Sequence, residues 1–542
     1  MRVMGVNAVF HDPAAAVVVD GRVVAAAEEE RFNRRKHGKR PYAFSTWELP
    51  EQAMRWCLAE AGITAADLDA VTYSYDPGLV EPDLAGTEQD WEFLRTLYAE
   101  RFPRFLTTAL PGVDPSVVRF LPHHLAHAAS AALASPHRDC AVLVADGRGE
   151  STSYLAGEFR DGKFTPLASQ RLPHSLGLMY EELTEHLGFA RSSDEYKVMA
   201  LGAYGTPRLL PEFERLVTTT GHGTFRVAPI DWASLAPRRR PEEPWSPAHA
   251  DLACSAQRRL EDVLLELAGW LHARTGHPLL TLAGGVALNC VANTRLHAEG
   301  PYDEVWVQPA SGDAGTALGG ALLAAAELGD TPRPRPGYDL GRGWTDAELE
   351  HALLAAAVPY ERPPDIAETV AEALAQDRIV GWFQGRAEFG PRALGRRSLL
   401  AHPTPAANID RLNAVKGREQ FRPVAPMVAA DRAAEVFGRG PVPSPYMLFV
   451  HDVAPDWQDR LAAVTHVDGT ARVQTVDPRT EPLVSRMLAA FERRTGVPVV
   501  VNTSFNTAGR PMVDSPRDAL ECFGSAPIDL LALGPYAVRR PT

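Results

Sequence analysis

Twice in this chain a run of apolar residues stops on a tight glycine turn. Asp139 to Ala145 (DCAVLVA) runs into Asp146-Gly147-Arg148-Gly149, and Pro278 to Leu282 runs into Gly284-Gly285 just ahead of a helical segment. Short apolar runs closed by such turns read as buried strands, and the amphipathic segments between them read as the helices that cover them. The pattern constrains the chain to an α/β architecture. At 542 residues it is too long for one ordinary core, so two or more domains are expected.

The opening residues form a hairpin pattern: Val3 to Phe10, Ala15 to Val19, an Asp20-Gly21 turn, then Arg22 to Ala27. The next stretch, EEERFNRRKH (28–37), reads either as a solvated charged face or as part of an active site. Helical patterns follow near 50–62, 89–104, 123–134 and 261–275. Residues 206–250 are proline-rich and read as irregular; together with the 73–90 loop they are the expected seat of substrate specificity. An alanine-rich helix at 314–328 precedes TPRPRPGYDLGRGW (331–344), the linker candidate, which divides the chain into domains 1–340 and 345–542. The last residues are allowed to return to the first domain. No short sequence repeat is visible.

Bulk properties exclude several classes. The five cysteines are dispersed and never form CxxC, which argues against a disulfide framework or a zinc finger and for a reducing compartment. The start lacks a signal-peptide pattern, and the longest apolar run is too short to span a bilayer, so a cytoplasmic protein is expected. A net charge of −13 disfavours long-range attraction of nucleic acid, although a local basic cleft can still hold a small anion.

Chemistry in the N-terminal part rests on four stretches: His11-Asp12 after the first strand, PHHLAHAAS, ADGRGES and SGDAGTALGG. His123 and His127 are four residues apart and share one helix face. With Asp146 and Asp313 they make a mixed nitrogen and oxygen set suited to iron(II), manganese or zinc. An HxxxH pair alone is weak, because helical histidines are often merely packed. The turns at Gly147 and Gly149 and at Gly284 and Gly285 supply backbone amides where a nucleotide can approach closely. Lys197 either neutralises phosphate or belongs to a surface ion pair.

Residues 386–422 carry Arg386, Arg392, Arg396, Arg397, Arg411, Lys416, Arg418 and Arg422 against three acidic residues, Glu388, Asp410 and Glu419. The glycine and aromatic context (GRAEFGPRALGRRS, KGREQFRPVAP) reads as an anion pocket, since rigid turns hold guanidinium groups for paired contacts. THVDGTARVQTV and NTSFNTAGRP add Arg472, Ser504 and Asn506.

Together GVNAVFHDPAAAVVVDG, AAAEEERFNRRKH, HHLAHAAS, DGRGE, EYKVMALGAYG, LAGGVALN and PASGDAGTALGGAL resemble the signature blocks of one family. It comprises the O-carbamoyltransferases related to nodulation protein U, the cephem carbamoyltransferases and the tobramycin-pathway enzyme. The resemblance runs over nearly the whole chain. It implies an actin/hexokinase-like first domain of two subdomains, similar to the universal tRNA threonylcarbamoyl-transfer protein. Lys416-x-Arg418 and Ser504-x-Asn506 resemble the KxR…SxN pattern of YrdC-like domains, which implies an α/β second domain of that kind.

The resemblance further implies a divalent metal, iron(II), on His123, His127, Asp146 and Asp313, and adenylate binding by Gly284, Gly285 and Asn289. It places His11 beside the acceptor, where a general base is needed. It assigns Arg392, Lys416, Arg418, Arg422, Arg472, Ser504 and Asn506 to carbamoyl phosphate and ATP, with magnesium accompanying the ATP. The implied activity converts these to carbamoyl adenylate and transfers carbamoyl to a hydroxyl of an antibiotic-type small molecule. Neither nucleic acid nor membrane is an expected partner, and a monomer or homodimer is expected. Many relatives carry serine where this chain has Ala14. Rival readings are a tRNA threonylcarbamoyl-adenosine synthase-like fusion and a non-catalytic nucleotide sensor. A metalloprotease is disfavoured because the His123/His127 pair lacks the adjacent glutamate of HExxH.

Overall fold

A computed structural model describes residues 1–40, 45–81, 89–333 and 337–540. It divides into two compact units, Met1–Pro336 and Gly337–Thr542.

The first unit is built on one connectivity used twice. Strands β1 (Arg2–Asn7), β2 (Ala14–Val19), β3 (Arg22–Glu28), β4 (Ala70–Tyr73) and β5 (Val118–Phe120) form a sheet in the order β3-β2-β1-β4-β5. The first three make an antiparallel meander, and β4 and β5 run parallel to β1. The second sheet contains β6 (Cys140–Ala145), β7 (Thr152–Arg160) and β8 (Lys163–Arg171). A small hairpin, β9 (Val217–Thr219) and β10 (Phe225–Val227), intervenes before β11 (Leu279–Ala283) and β12 (Glu304–Val307) complete it. Its order, β12-β11-β6-β7-β8, repeats the first, with β6 in the place of β1. This duplicated arrangement is the actin/hexokinase-like fold. The turn at 8–13 and the turn at 146–151 therefore occupy equivalent positions.

Small residues let the layers approach. The Ala314–Glu327 helix packs on β1, β2 and β4 and on the His123–Leu133 helix. A Cβ on Gly319 would lie 1.9 Å from the Ala126 carbonyl oxygen, so this crossing requires glycine. The helix expected at 261–275 is much longer, Pro247–Thr275, because Ser246 and His249 form a capping box with proline at the first turn. The stretch read as irregular thus holds the start of that helix, the β9–β10 hairpin and the short Leu210–Leu216 and Trp232–Leu235 helices. The solvated reading of 28–37 fails for its first part, where Glu28, Glu29, Glu30 and Arg31 are all buried, and holds at Asn33, Arg35 and Lys36, which are exposed. Residues 82–88 of the proposed specificity loop lie outside the described residues.

The second unit has a mixed seven-stranded sheet in the order β19-β15-β20-β14-β13-β21-β22. Its strands are β13 (Val380–Phe383), β14 (Arg397–Ala401), β15 (Ala425–Ala429), β19 (Gln474–Val476), β20 (Val499–Ser504), β21 (Leu530–Leu533) and β22 (Tyr536–Arg539). A smaller sheet is made by β16 (Phe437–Gly438), β17 (Val450–Val453) and β18 (Thr470–Arg472). Trp382, Phe491 and Phe505 anchor a core closed by the Ile366–Ala375 and Pro482–Thr495 helices. The last described strand, β22, pairs with β21 inside this unit. Among the described residues, no helix is long and apolar enough to cross a membrane.

Candidate active site

The His123–Leu133 helix begins directly after Pro122 and buries both of its site histidines completely. Asp146 ends the β6 side of the second hairpin, and Asp313 immediately precedes the Ala314–Glu327 helix. One ligand atom from each of His123, His127, Asp146 and Asp313 falls within 4.8 Å of all the others. His123 Nε2 lies 3.3 Å from Asp146 Oδ2 and 3.6 Å from Asp313 Oδ1, and His127 Nε2 lies 3.6 Å from each.

The hydrogen bonding leaves the correct atoms over. His123 Nδ1 donates to the Ser74 carbonyl (3.0 Å), which leaves the Nε2 lone pair facing the cluster. The Nε2 atoms of His123 and His127 and Asp313 Oδ2 are buried without a hydrogen-bond partner among the described residues. Buried polar atoms are rarely left unmatched, and a nitrogen and oxygen set of this kind fits a divalent transition-metal ion. Glu150 braces the helix start, accepting from the His123 amide (2.9 Å) and the Asp76 amide (2.8 Å).

Asp146 joins this cluster to the glycine loops. Its Oδ1 accepts from the Gly285 amide at 2.9 Å, while Oδ2 faces the imidazoles. Gly284 has φ +92°, and a Cβ there would lie 2.2 Å from the Ala145 carbonyl oxygen. Gly147 and Gly149 bring backbone close to Glu181 and His124 respectively. Asn289 caps the Cys290–Glu299 helix through the Ala292 amide and exchanges hydrogen bonds with Gln257 (2.8 and 3.0 Å). Lys197 pairs with Asp194 at 2.9 Å. Both side chains are mostly buried, so this is not a surface pair.

His11 sits in the first hairpin turn, which Asn7 fixes by donating to the carbonyls of His11 and Asp12 (3.0 Å each). Ala14 is fully buried opposite Asn7. His11 Nδ1 donates to Asp12 Oδ2 at 2.9 Å. Burial opposes a charge on His11, but Asp313 and the bond to Asp12 outweigh it and push its pKa up to about 10. A cation held by Asp313 would cancel the largest raising contribution and return His11 towards the range of a base. Sequence reasoning missed His37, Ser193 and Lys39 in this neighbourhood. Lys39 donates from a buried position to the carbonyls of Ala8 (2.7 Å) and Val9 (2.9 Å) in the His11 turn.

In the second unit Lys416 follows the Ala407–Val415 helix and gathers the SxN pair. Its Nζ donates to the Ser504 carbonyl (2.5 Å), Ser504 Oγ (2.9 Å) and Asn506 Oδ1 (2.5 Å). Arg418 is held on the same turn by Asn413 (2.5 Å), and Arg422 pairs with Glu419 (3.4 Å). Arg392 lies in the loop ahead of β14, and Arg472 ends β18.

Half of the eight-cation cluster is structural, which corrects the single-pocket reading. Arg397 is fully buried, donating to the Gln384 and Arg342 carbonyls (2.8 and 2.9 Å) over the Phe383 ring. Arg386 donates to the carbonyls of Gly341 and Leu340, Arg396 pairs with Glu481 (2.8 Å) and Arg411 with Asp377 (3.0 Å). Buried Glu388 holds the loop itself, accepting from the amides of Leu394, Arg396 and Arg397.

A duplicated actin/hexokinase-like unit with a buried histidine–aspartate cluster is thus followed by a mixed α/β unit. Residues 2–322 match the family model described as carbamoyltransferase N-terminus, and residues 371–540 match carbamoyltransferase C-terminus. The chain is 39% identical to nodulation protein NolNO of Sinorhizobium fredii, covering 99% of this chain and 80% of that one. It is 32% identical to nodulation protein U of the same species, covering 96% of each. A likeness to the crystal structure of T. kodakarensis HypF covers 61% of this chain and 50% of that one at 16% identity; its TM-score of 0.34 is too low to carry an argument. The chain belongs to the carbamoyltransferase family, and its chemistry is carbamoyl transfer.

Proposed function

We propose that the chain is an ATP-dependent O-carbamoyltransferase acting on a small hydroxylated natural product of the antibiotic type. Carbamate freed from carbamoyl phosphate attacks the α-phosphate of ATP, releasing pyrophosphate and forming carbamoyl adenylate. The acceptor hydroxyl then attacks the carbamoyl carbon, AMP leaves, and the hydroxyl proton passes to a base. The observation that carries this reading is the double use of Asp146, which faces the imidazoles with one oxygen and holds the Gly285 amide with the other. It couples a cation site to a glycine turn suited to a nucleotide.

The residues have separate tasks. His123, His127, Asp146 and Asp313 would hold a divalent cation, iron(II) in this reading, which supplies Lewis acidity towards an oxygen of the adenylate. The amides around Gly147, Gly149, Gly284 and Gly285 receive the nucleotide, with Asn289 and Lys197 beside them. His11 accepts the hydroxyl proton. Lys416, Arg418 and Arg422, joined by Arg392, Arg472, Ser504 and Asn506, hold carbamoyl phosphate and magnesium-bound ATP. A weak nucleophile must there meet a polyanion, so fixed cations and alignment do most of the work. The proposed setting is the cytoplasm, as a monomer or homodimer, with no nucleic-acid or membrane partner.

Incubation with ATP, carbamoyl phosphate and a panel of hydroxylated natural products tests the proposal. One acceptor should gain the mass of a carbamoyl group as AMP appears in equal amount. Product formation that required threonine and bicarbonate instead of carbamoyl phosphate would favour the tRNA-modification reading. Failure to form AMP with any acceptor or with water would reject the carbamoyl-adenylate route.

A further inference from the structure

Asp12 does not serve His11 alone. Its Oδ1 accepts from His37 Nδ1 at 2.9 Å, while Oδ2 accepts from His11 Nδ1 at 2.9 Å. On its far side His37 Nε2 lies 2.7 Å from Ser193 Oγ. The four side chains form one line, Ser193–His37–Asp12–His11. It is assembled from the first hairpin turn, the segment after β3 and the turn ahead of the Glu195–Gly202 helix.

Backbone geometry aims these groups at one another. Asp12 (φ 49°), His37 (φ 61°) and Ser192 (φ 57°) all occupy the left-handed region. Asp and His tolerate that region better than most residues, and serine less well. The serine turn is nevertheless pinned: Glu195 accepts from the Ser192 amide (2.8 Å), and Glu181 accepts from Ser192 Oγ (3.0 Å) and Arg191 Nε (2.9 Å). Glu30 accepts from the His37 amide at 2.9 Å.

Donor and acceptor arithmetic then fixes the tautomers. An ionised Asp12 only accepts, so both imidazoles must carry their proton on Nδ1. With its one ring proton on Nδ1, His37 accepts at Nε2, and Ser193 supplies the O–H. Of the four ring nitrogens in the line, three are matched, and His11 Nε2 is the one left without a hydrogen-bond partner among the described residues.

We infer that His37 and Ser193 are positioning residues for carbamoyl transfer, acting through Asp12 to present the His11 Nε2 lone pair to the acceptor hydroxyl. The inference rests on the reading of His11 as the base. Because His37 occupies Oδ1, Asp12 cannot swing away from His11. Because Ser193 fixes the His37 tautomer, that grip does not lapse by a proton shift. The other charged groups facing the line are Asp313, Glu181 and Glu195 around His11, Lys39 near Asp12, and Glu30 at His37. His37 shares the charge of Asp12, and its loss leaves more of that charge to His11.

The test uses the full chain with ATP and carbamoyl phosphate, water as the acceptor, and separate assays of pyrophosphate and AMP. Proton transfer by a positioned group contributes on the order of 10²–10⁴ in rate, so His37→Ala should lower kcat for AMP release about 10²-fold and Ser193→Ala about 3- to 30-fold. Pyrophosphate release in the first turnover should not change, and in the steady state it falls with AMP because one of each forms per cycle. His37→Asn, which keeps an N–H near the Nδ1 position, and Ser193→Thr, which keeps the hydroxyl, should recover activity. The acidic limb of the His37→Ala pH profile should move to higher pH. Wild-type kcat and pH profile in both alanine variants would overturn the inference, as would loss of the first-turnover pyrophosphate burst together with a fall in the unfolding midpoint. Wild-type protein that forms no AMP would overturn the underlying reading and the inference with it.

Discussion

At the scale of single residues, the buried cluster and the Lys416 knot are positions where one atom decides the outcome. Asp146→Asn keeps an oxygen for the Gly285 amide but removes the charge that faces His123 and His127. It should weaken metal retention about 10- to 100-fold, which metal content after dialysis against a weak chelator would reveal; unchanged content would remove Asp146 from the ligand set. A second residue prediction concerns Glu481. Burial pushes its carboxyl up to about 7, with Arg396 opposing the shift. A carboxyl whose pKa rises on folding holds its proton in the folded state after the unfolded chain has released it. Its contribution to stability therefore falls as pH climbs from the ordinary glutamate value to about 7, and levels off above that. Relative to the wild type, Glu481→Gln should gain up to about 3 kcal/mol across that window, read by urea unfolding at several pH values. A difference independent of pH would mean that Glu481 stays ionised throughout.

At the scale of elements, the turns were legible and their partners were not. The opening hairpin and the β6 and β11 strands could be read from apolar runs and glycines, and the family resemblance drew together the four residues that the structure places in one buried cluster. The identity of the two sheets of the first unit could not, because strand order is set by crossovers rather than by residue identity, and no sequence repeat survives between the halves. His37 was legible only as one charge in EEERFNRRKH, since its partner Ser193 lies 156 residues away. Composition could not separate Arg397, bound to backbone carbonyls, from Lys416, bound to the SxN pair, because both are simply cations in a glycine-rich loop. The glycine turns carry a sharper prediction. Gly284→Ala combines a left-handed backbone with a Cβ at 2.2 Å from the Ala145 oxygen, so about 2–4 kcal/mol of local stability should be lost. Hydrogen exchange should quicken in β6 and β11 while β13 and β14 keep their rates. Wild-type exchange rates in β6 and β11 would mean that the turn relaxes at little cost.

At the scale of the whole molecule, the proposed function gives the two units two kinds of chemistry, and the net charge of −13 makes the local cation group around Lys416 stand out against an acidic background. If the second unit makes an activated carbamoyl group and the first spends it, variants in each should fail at different products. Lys416→Ala removes the donor that holds Ser504 and Asn506 together, and should lower pyrophosphate release by about 10²-fold or more, with AMP falling in step because nothing is supplied. Asp146→Asn should leave pyrophosphate release near the wild-type rate for the first turnover and abolish AMP release. The two defects should not complement when the variant proteins are mixed if the intermediate is retained, since water destroys a mixed anhydride that escapes. Measured burst amplitudes of pyrophosphate against steady AMP production separate these cases. A Lys416→Ala protein with normal pyrophosphate release would place activation elsewhere, and an Asp146→Asn protein with normal AMP release would separate the histidine–aspartate cluster from transfer.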